Sequence, residues 1–302
     1  MNSLFKTGLL LLIILTTGCA TSSLGPYESF AASGQDYAVS LHQLLDVAQK
    51  TAIDKSSAEL IDRNSFANRN DANFNTQQIA QLERQQAIDQ ARIAVFNDIR
   101  KHLLALSNYF TQLNALATSD EAGATSTAIE ATVKRLGELT ARLRDQQAFA
   151  LDDDQKNRIS RVSDYAIGSR QRAALKKRIQ ADEKILQEAL NTHEVLLEAI
   201  GDDLEHEVGI LNERLYQWRI EGPFTAATPL LDRPDVAQEW MDERRRLINS
   251  VPAIGELRAA GRAAASLRRA LQKLVSDEAD FLTQLNQLKV ELEAIRNVIA
   301  AF

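Results

Sequence analysis

The chain has 302 residues, of which 35 are lysine or arginine and 41 are aspartate or glutamate, so its formal net charge is −6. Affinity for a phosphate backbone comes mostly from clustered positive charge, and this balance argues against a nucleic-acid partner. The single cysteine has no second thiol in the chain with which to form a disulfide.

An uninterrupted run of leucine and isoleucine, residues 9–15, lies near the N-terminus. Even with its flanking small residues, this run is shorter than the roughly 20 apolar residues that a membrane-spanning helix needs. Lys6 precedes the run and Thr17-Gly18 follow it, which is the order of positive region, hydrophobic core and small residues that a signal peptidase requires. Residues 1–18 are therefore predicted to be a secretion signal that is removed.

The stretch Leu15-Thr16-Thr17-Gly18-Cys19 resembles the lipobox of bacterial lipoprotein precursors. The resemblance implies that the Cys19 thiol receives a diacylglycerol and that Cys19 becomes the N-terminus of the mature, lipid-anchored chain. Ala20, rather than an aspartate, follows the cysteine, so the same resemblance implies the outer membrane, with the protein facing the periplasm. An ordinary signal peptide with an incidental cysteine is the alternative interpretation.

The remainder of the chain carries helix signals. No proline occurs between Tyr27 and Gly222, and this stretch is dense in Ala, Leu, Gln, Glu, Arg and Ile, most of them good helix formers. Alternating runs of Val, Thr and aromatic residues bounded by turn dipeptides, the signal of strands, are missing. We predict an all-α protein, an elongated antiparallel helical bundle with long coiled-coil hairpins. Its predicted parts are the signal peptide 1–18, a lipidated N-terminus and short tether 19–35, and an all-helical bundle domain 36–302.

Breaks between the helices follow from turn-forming residues: an asparagine-rich stretch, a stretch of small residues, three consecutive aspartates and a proline-containing loop. The helices predicted between these breaks are 27–63, 76–117, 127–149, 153–220, 233–249 and 252–301.

Apolar residues along several of these helices alternate steps of three and four, the pattern of a coiled-coil seam. One seam runs along 186–218, and another runs along 267–299, where Glu278 alone breaks the apolar pattern. We therefore predict that 153–220 and 233–301 form a long antiparallel hairpin, with Pro252 as a second break or only a bend. The small residues within 259–265 predict a close approach of two helices, or alternatively an exposed alanine-rich surface.

Candidates for catalysis or metal binding are few. Asp203 and His206 have the i, i+3 spacing that places both on one helix face, but no second copy of the pair occurs, and a solvated acidic face is the preferred interpretation. His193 lies within an apolar seam, where we expect a core histidine that is satisfied by hydrogen bonds. A nucleophile elbow and a phosphate-binding glycine loop are both missing from the sequence. We predict a non-enzymatic protein without a cofactor or a catalytic residue.

Two surface features indicate contacts with partners. The basic clusters 176–178, 244–246 and 268–269 have the chemistry to meet anionic head groups or an acidic partner, although most such clusters are simply solvated. Tyr216, Trp218 and Phe224 place aromatic side chains at the tip of the predicted hairpin, and aromatic side chains often dominate protein interfaces. Capping the end of the core is the alternative role for these three.

The leading hypothesis is a structural or interaction protein that is anchored in the bacterial envelope by its lipid and contacts envelope proteins or itself through its helices. One alternative is a periplasmic bundle that binds a small molecule or metal, or acts as a sensor. It predicts inward-facing polar groups, for which His193 and Asp182 are the candidates. The other alternative is an exclusion or inhibitor lipoprotein that blocks an envelope machine, which the sequence does not separate from the leading hypothesis.

Overall fold

A computed structural model of the chain describes residues 25–65, 67–118, 122–145, 172–254, 258–278 and 280–301. The predicted signal peptide, Cys19 and the predicted helix start at 153 lie outside these ranges. Helices that pack against one another make up nearly all of the described chain, and no strand occurs in it. The prediction of an all-α helical bundle is confirmed.

Seven helices of 17 residues or more lie within the described ranges. In chain order they are α1 (Gly25–Ser65), α2 (Phe74–Thr118), α3 (Ala122–Asp145), α4 (Arg172–Tyr216), α5 (Pro234–Ile254), α6 (Ala259–Val275) and α7 (Phe281–Ala301). The first two begin and end within two residues of the predicted bounds, because asparagine-rich turn signals mark the break between them clearly.

The predicted helix 252–301 is wrong in its continuity, since the chain turns between Val275 and Phe281. Asp277 adopts a left-handed conformation with φ of 54°, and the Glu278 N–H donates to the Lys273 carbonyl oxygen at 3.0 Å. This is the Schellman arrangement that ends many helices, with aspartate in the position that glycine usually takes. The predicted apolar seam is nevertheless buried on both sides of the turn, so one seam serves two antiparallel helices.

The predicted boundary between tether and bundle at residue 36 also needs correction. Helix α1 begins at Gly25, and Tyr27, Phe30 and Ala31 are buried in the core. The Phe30 ring meets the Phe110 ring edge to face, with centroids 5.5 Å apart. Burial of the Tyr27 and Phe30 rings stabilises this part of α1 by roughly several kcal/mol. Residues from 25 onward therefore belong to the bundle.

Contacts between side chains fix the relative directions of α1, α2, α4 and α6. Helices α1 and α2 are antiparallel, because Gln35 bonds Thr111 near one end and Asn64 bonds Gln78 near the other. Helix α4 runs parallel to α1, since Tyr37 contacts His193 and Asp62 pairs with Arg214. Helix α6 is antiparallel to α4, since Arg258, just before α6, pairs with Asp202, and Arg268 pairs with Glu194.

Two parts of the bundle differ in their packing. We call the larger part the broad region, which comprises residues 25–50, 95–118, 122–145, 172–208, 258–275 and 281–301. We call the other part the narrow end, which comprises residues 51–65, 74–94 and 209–248. The largest fully buried side chains, including Tyr37, Tyr109, Phe30, Phe96 and Phe110, all lie in the broad region. Among the described residues of the narrow end, the buried apolar side chains are Ala52, Ala58, Ile220 and Leu247.

Close approach of helices in the broad region depends on two glycines. A Cβ atom at Gly34 would lie 2.5 Å from the Phe110 ring, and one at Gly261 would lie 3.1 Å from the Glu194 carbonyl oxygen. The alanines flanking Gly261 on α6 are buried as well. The interpretation of 259–265 as a surface of close helix approach is therefore confirmed, and the alternative of an exposed alanine-rich surface is wrong.

Candidate functional site

The three aromatic residues predicted to form a docking site all belong to the narrow end. Helix α4 ends at Tyr216, which is 43% exposed, and the chain continues as a π-helical segment, Gln217–Glu221, that contains Trp218. A last helical turn, Gly222–Phe224, follows and leaves Phe224 69% exposed. Large apolar side chains this exposed are favoured candidates for a protein contact when they cluster.

Trp240 of α5 completes this aromatic cluster, and the sequence did not point to it. The Phe224 ring stacks on the Trp240 ring with centroids 5.8 Å apart and planes 19° from parallel. The Trp240 indole N–H donates to the Ile220 carbonyl oxygen at 3.0 Å. The chain contains only two tryptophans, and Trp218 and Trp240 flank the same proline-containing loop. That placement is the signal from which Trp240 could have been found.

Both tryptophans line an open depression of about 670 Å³ at the narrow end. Pro223 and Val236 also line this depression with apolar side chains. A second depression, of about 510 Å³, shares Arg219, Glu243 and Arg246 with the first. The second depression extends along α1 and the last turns of α4. Volumes of this size match those of pockets that take small ligands or the anchoring side chains of a partner.

Paired charges separate the two depressions. Two hydrogen bonds of 2.8 and 3.0 Å join the Arg246 guanidinium to the Glu243 carboxylate, and they hold the pKa of Glu243 below its ordinary value. Arg219 approaches the same carboxylate at 3.8 Å. Glu243 is thus neutralised by two cations, while the two tryptophans, Pro223 and Val236 supply the apolar part of this surface.

The predicted metal candidates do not assemble into a site. The Asp203 side chain is about half exposed and lies 3.8 Å from Arg92, and His206 is exposed. Within the described residues, no group of three or more His, Cys, Asp or Glu side chains could hold a metal ion.

Residues of the basic clusters are largely paired with carboxylates. Arg178 bonds both Asp182 and Glu130, and Arg268 bonds Glu194. In the cluster on α5, Arg245 and Arg246 pair with acidic residues one turn before them. These pairs lower the positive charge that would attract an anionic head group.

A second candidate site lies inside the broad region, where polar side chains from four helices meet. The Tyr37 hydroxyl of α1 lies 3.0 Å from Nδ1 of His193 on α4. The Thr140 hydroxyl of α3 lies 2.8 Å from Nε2 of His102 on α2. The two imidazole rings are in contact, with centroids 4.4 Å apart and planes at 65°. The expectation that His193 is a hydrogen-bonded core histidine is confirmed.

Burial keeps both of these histidines neutral. It lowers the pKa of His193 to about 3, and it lowers the pKa of His102 well below the ordinary value, with the nearby His193 contributing to the same direction. Burial also raises the pKa of the Tyr37 hydroxyl, and the charge of Glu194 adds to this effect. The cluster is therefore a set of uncharged donors and acceptors at neutral pH.

Asp182, the other inward-facing residue expected from the sequence, is also buried. Its carboxylate accepts a hydrogen bond of 2.7 Å from Arg178 Nε, and Tyr109 is buried nearby. Burial raises the pKa of Asp182, and the bonds from Arg178 oppose that shift. Buried polar groups thus occur at two places in the core, one around His193 and one around Asp182. The sequence indicated these two residues but not their partners.

Comparison with protein-family models, with curated proteins and with solved structures finds no match. Among the described helices, none combines the length and the apolar composition needed to cross a membrane. The fold defines the molecule as an all-α bundle with an aromatic cluster at one end and a buried polar cluster in its core.

Proposed function

We propose that this protein is a lipid-anchored component of the bacterial envelope that binds a partner protein through the aromatic cluster of its narrow end. The observation that carries the proposal is the position of this cluster. Both tryptophans, an exposed Phe224 and an open depression of about 670 Å³ occur together at the end of the bundle opposite to Gly25.

The length of helix α1 places the aromatic cluster far from the proposed lipid. Cys19, the proposed lipid-bearing residue, precedes Gly25 by six positions. Helix α1 has 41 residues, which at 1.5 Å per residue separates Gly25 from Ser65 by about 60 Å. Asp62, close to the end of α1, pairs with Arg214 just before the aromatic cluster. A bundle anchored next to Gly25 would therefore present the aromatic cluster far from its own lipid.

Exposed side chains at the narrow end supply the contact surface for such a partner. Leu231, in the loop between Phe224 and α5, is 91% exposed, and Met241 of α5 is exposed as well. Exposed aromatic and long apolar side chains bury much contact area at low conformational cost, and they recur as the anchors of protein interfaces.

Crosslinking in membranes tests this proposal. We expect a Phe224→Ala, Leu231→Ala double variant to lose its crosslinked partner, while the free energy of unfolding changes by less than about 1 kcal/mol because both side chains are largely exposed. A Leu104→Ala, Leu282→Ala variant is the matched control, since these leucines are 59% and 61% exposed elsewhere on the bundle. Equal loss of the partner in both variants, or in neither, would contradict the docking role of the narrow end.

The anchor is tested separately. A Cys19→Ser variant has no thiol to acylate, so we expect the precursor to stay unprocessed or the protein to leave the membrane fraction. The measurement is membrane fractionation together with the apparent mass of the chain. An unchanged mass and an unchanged membrane fraction would contradict the lipid anchor and leave the docking proposal standing.

The buried polar cluster favours a second candidate function, a bundle that binds a ligand or senses a change in its surroundings. This hypothesis predicts inward-facing polar groups, and His193, His102 and Tyr37 are such groups. A ligand that binds the native state raises the melting temperature by mass action. A melting temperature that rises with an added small molecule or metal ion, in a protein that crosslinks to nothing, would favour this second function.

A further inference from the structure

The proton positions in the buried polar cluster can be deduced from its hydrogen bonds. The Thr140 hydroxyl donates to the Leu136 carbonyl oxygen at 2.8 Å, so its only hydrogen is used. His102 Nε2, which is 2.8 Å from the same hydroxyl oxygen, must then be the donor of that contact. Because His102 is neutral, its other ring nitrogen, Nδ1, is left without a hydrogen and can only accept.

The same argument applies to His193. The Tyr37 phenol keeps its hydrogen, because burial raises its pKa, and among the described residues its hydroxyl meets only His193 Nδ1, at 3.0 Å, so we assign the phenol as the donor of this bond. A neutral His193 then carries its own hydrogen on Nε2, where it can only donate. Both His193 Nε2 and His102 Nδ1 are buried without a hydrogen-bond partner among the described protein atoms.

The two nitrogens are therefore a donor and an acceptor on rings that touch. A bond from His193 Nε2–H to His102 Nδ1 would complete a chain of hydrogen bonds that all point the same way. The chain runs from Tyr37 of α1 through His193 of α4 and His102 of α2 to Thr140 of α3. It accounts for every buried ring nitrogen of the two histidines.

We propose that this chain is a proton-sensing site: it holds four helices together while both histidines are neutral, and uptake of one proton at His102 Nδ1 breaks it. The added proton converts the acceptor into a donor, so two N–H groups face each other and one of them carries a positive charge. An unpaired buried charge of this kind favours a locally opened bundle in which the imidazolium reaches water.

Carboxylates that could stabilise the imidazolium are already paired with cations. Asp98, one turn before His102 on α2, bonds Lys101 at 2.8 Å and Arg142 of α3 at 2.9 Å. Glu194, next to His193 on α4, bonds Arg268 of α6 at 2.8 Å. Asp36, next to Tyr37 on α1, is exposed and lies 4.0 Å from Arg296 of α7. These three carboxylates are therefore already engaged by cations.

The direction of the pH response follows from the sign of the shifts. Histidine in an unfolded or opened chain has an ordinary pKa near 6.5, whereas the folded bundle lowers the pKa of His193 to about 3 and that of His102 in the same direction. Below about pH 6.5 the opened state thus binds more protons than the closed state. The closed state therefore loses stability as the pH falls from about 6.5 towards the lowered pKa values of the two histidines. Above about pH 7 the contribution of the chain is complete.

Hydrogen exchange of the mature chain tests the proposal. We expect protection of α3 amides, corrected for the intrinsic rate, to fall at least about tenfold between pH 7 and pH 5, which corresponds to about 1.4 kcal/mol. A His102→Gln variant keeps a donor and an acceptor but removes one of the two titrating rings, so its protection should fall by a smaller factor between pH 7 and pH 5, with His193 alone left to take up a proton. The control is a His42→Gln, His206→Gln variant, which removes the two exposed histidines and should respond like the original chain.

Nitrogen NMR of the two histidines provides a second measurement that requires no variant. The proposal expects both His102 and His193 to be neutral at pH 7 with the hydrogen on Nε2. A hydrogen on Nδ1 of His193, or equal pH dependence of α3 exchange in the original chain and in His102→Gln, would overturn it. If His102→Gln does not fold, the tautomers alone decide. These results are independent of the docking experiment, since none of the residues involved lies at the narrow end.

Discussion

The broad region and the narrow end of the bundle differ in what holds their helices together. In the broad region, six helices bury large apolar side chains such as Phe96, Phe110 and Leu271, and small residues allow the backbones to approach closely. In the narrow end, few of the described apolar side chains are fully buried, and ion pairs and an aromatic contact also join the chain segments. Burial of apolar area contributes most of the stability of a domain, so the broad region carries the fold.

This difference explains why the candidate docking surface lies where it does. Residues that bind a partner must stay exposed, and they therefore add little to folding. The narrow end shows this separation, since Phe224, Leu231 and Met241 all face solvent. The following predictions test the comparison, beginning with the largest expected effect.

A charge placed in the core of the broad region should have the largest effect. Leu285 of α7 is buried and Leu282 on the same helix is exposed. We expect Leu285→Asp to lower the free energy of unfolding by about 3 kcal/mol or more, because it buries an unpaired carboxylate. Leu282→Asp should change it by less than about 0.5 kcal/mol. Urea denaturation followed by circular dichroism measures both, and equal midpoints would contradict the packing of α7.

The two tryptophans allow the narrow end to be observed separately. Because both of them lie there, intrinsic fluorescence reports on the narrow end, whereas circular dichroism reports on all the helices. We expect the fluorescence transition in urea to precede the dichroism transition, with an apparent free energy of opening about 2 kcal/mol lower. Coincident transitions would mean that the two regions unfold as one unit.

Loss of the ion pair between α2 and α4 should have an intermediate effect. Arg92 Nη1 lies 2.5 Å from the carboxylate of Glu207, whose side chain is 6% exposed. We expect Arg92→Met to cost about 1–2 kcal/mol, because it leaves a buried carboxylate without its partner. Arg219→Met is the control, since Arg219 is well exposed and meets Glu243 only at 3.8 Å. It should cost less than about 0.5 kcal/mol in the same denaturation experiment.

Alanine at two helical glycines should have opposite, smaller effects. Gly261 packs against the α4 backbone, so Gly261→Ala forces the two helices apart and should destabilise the protein by about 1 kcal/mol. Gly209 of α4 has open space around it, so Gly209→Ala should stabilise the protein by about 0.5–1 kcal/mol through its higher helix propensity. Melting temperatures that shift in the same direction would contradict the close approach at Gly261.

The sequence by itself determined the helical character of the described chain and the buried face along the two predicted seams. The predicted seam along α4 is buried from Leu186 to Val208 and half-buried from Leu211 to Trp218. The seam between 267 and 299 is likewise buried on both sides of its turn, although the turn at Asp277 was missed. Helix propensity and the spacing of apolar residues are local properties, so a single sequence contains them.

Only the tertiary structure decided which buried face meets which. The residues of the polar chain are far apart in the sequence: 156 positions separate Tyr37 from His193, and 38 positions separate His102 from Thr140. Trp240 meets Phe224 only because the chain reverses between α4 and α5. Apolar periodicity states that a face is buried but carries no information about its neighbour. The partners of buried polar groups depend on helix direction and register, which are fixed by packing of the whole bundle.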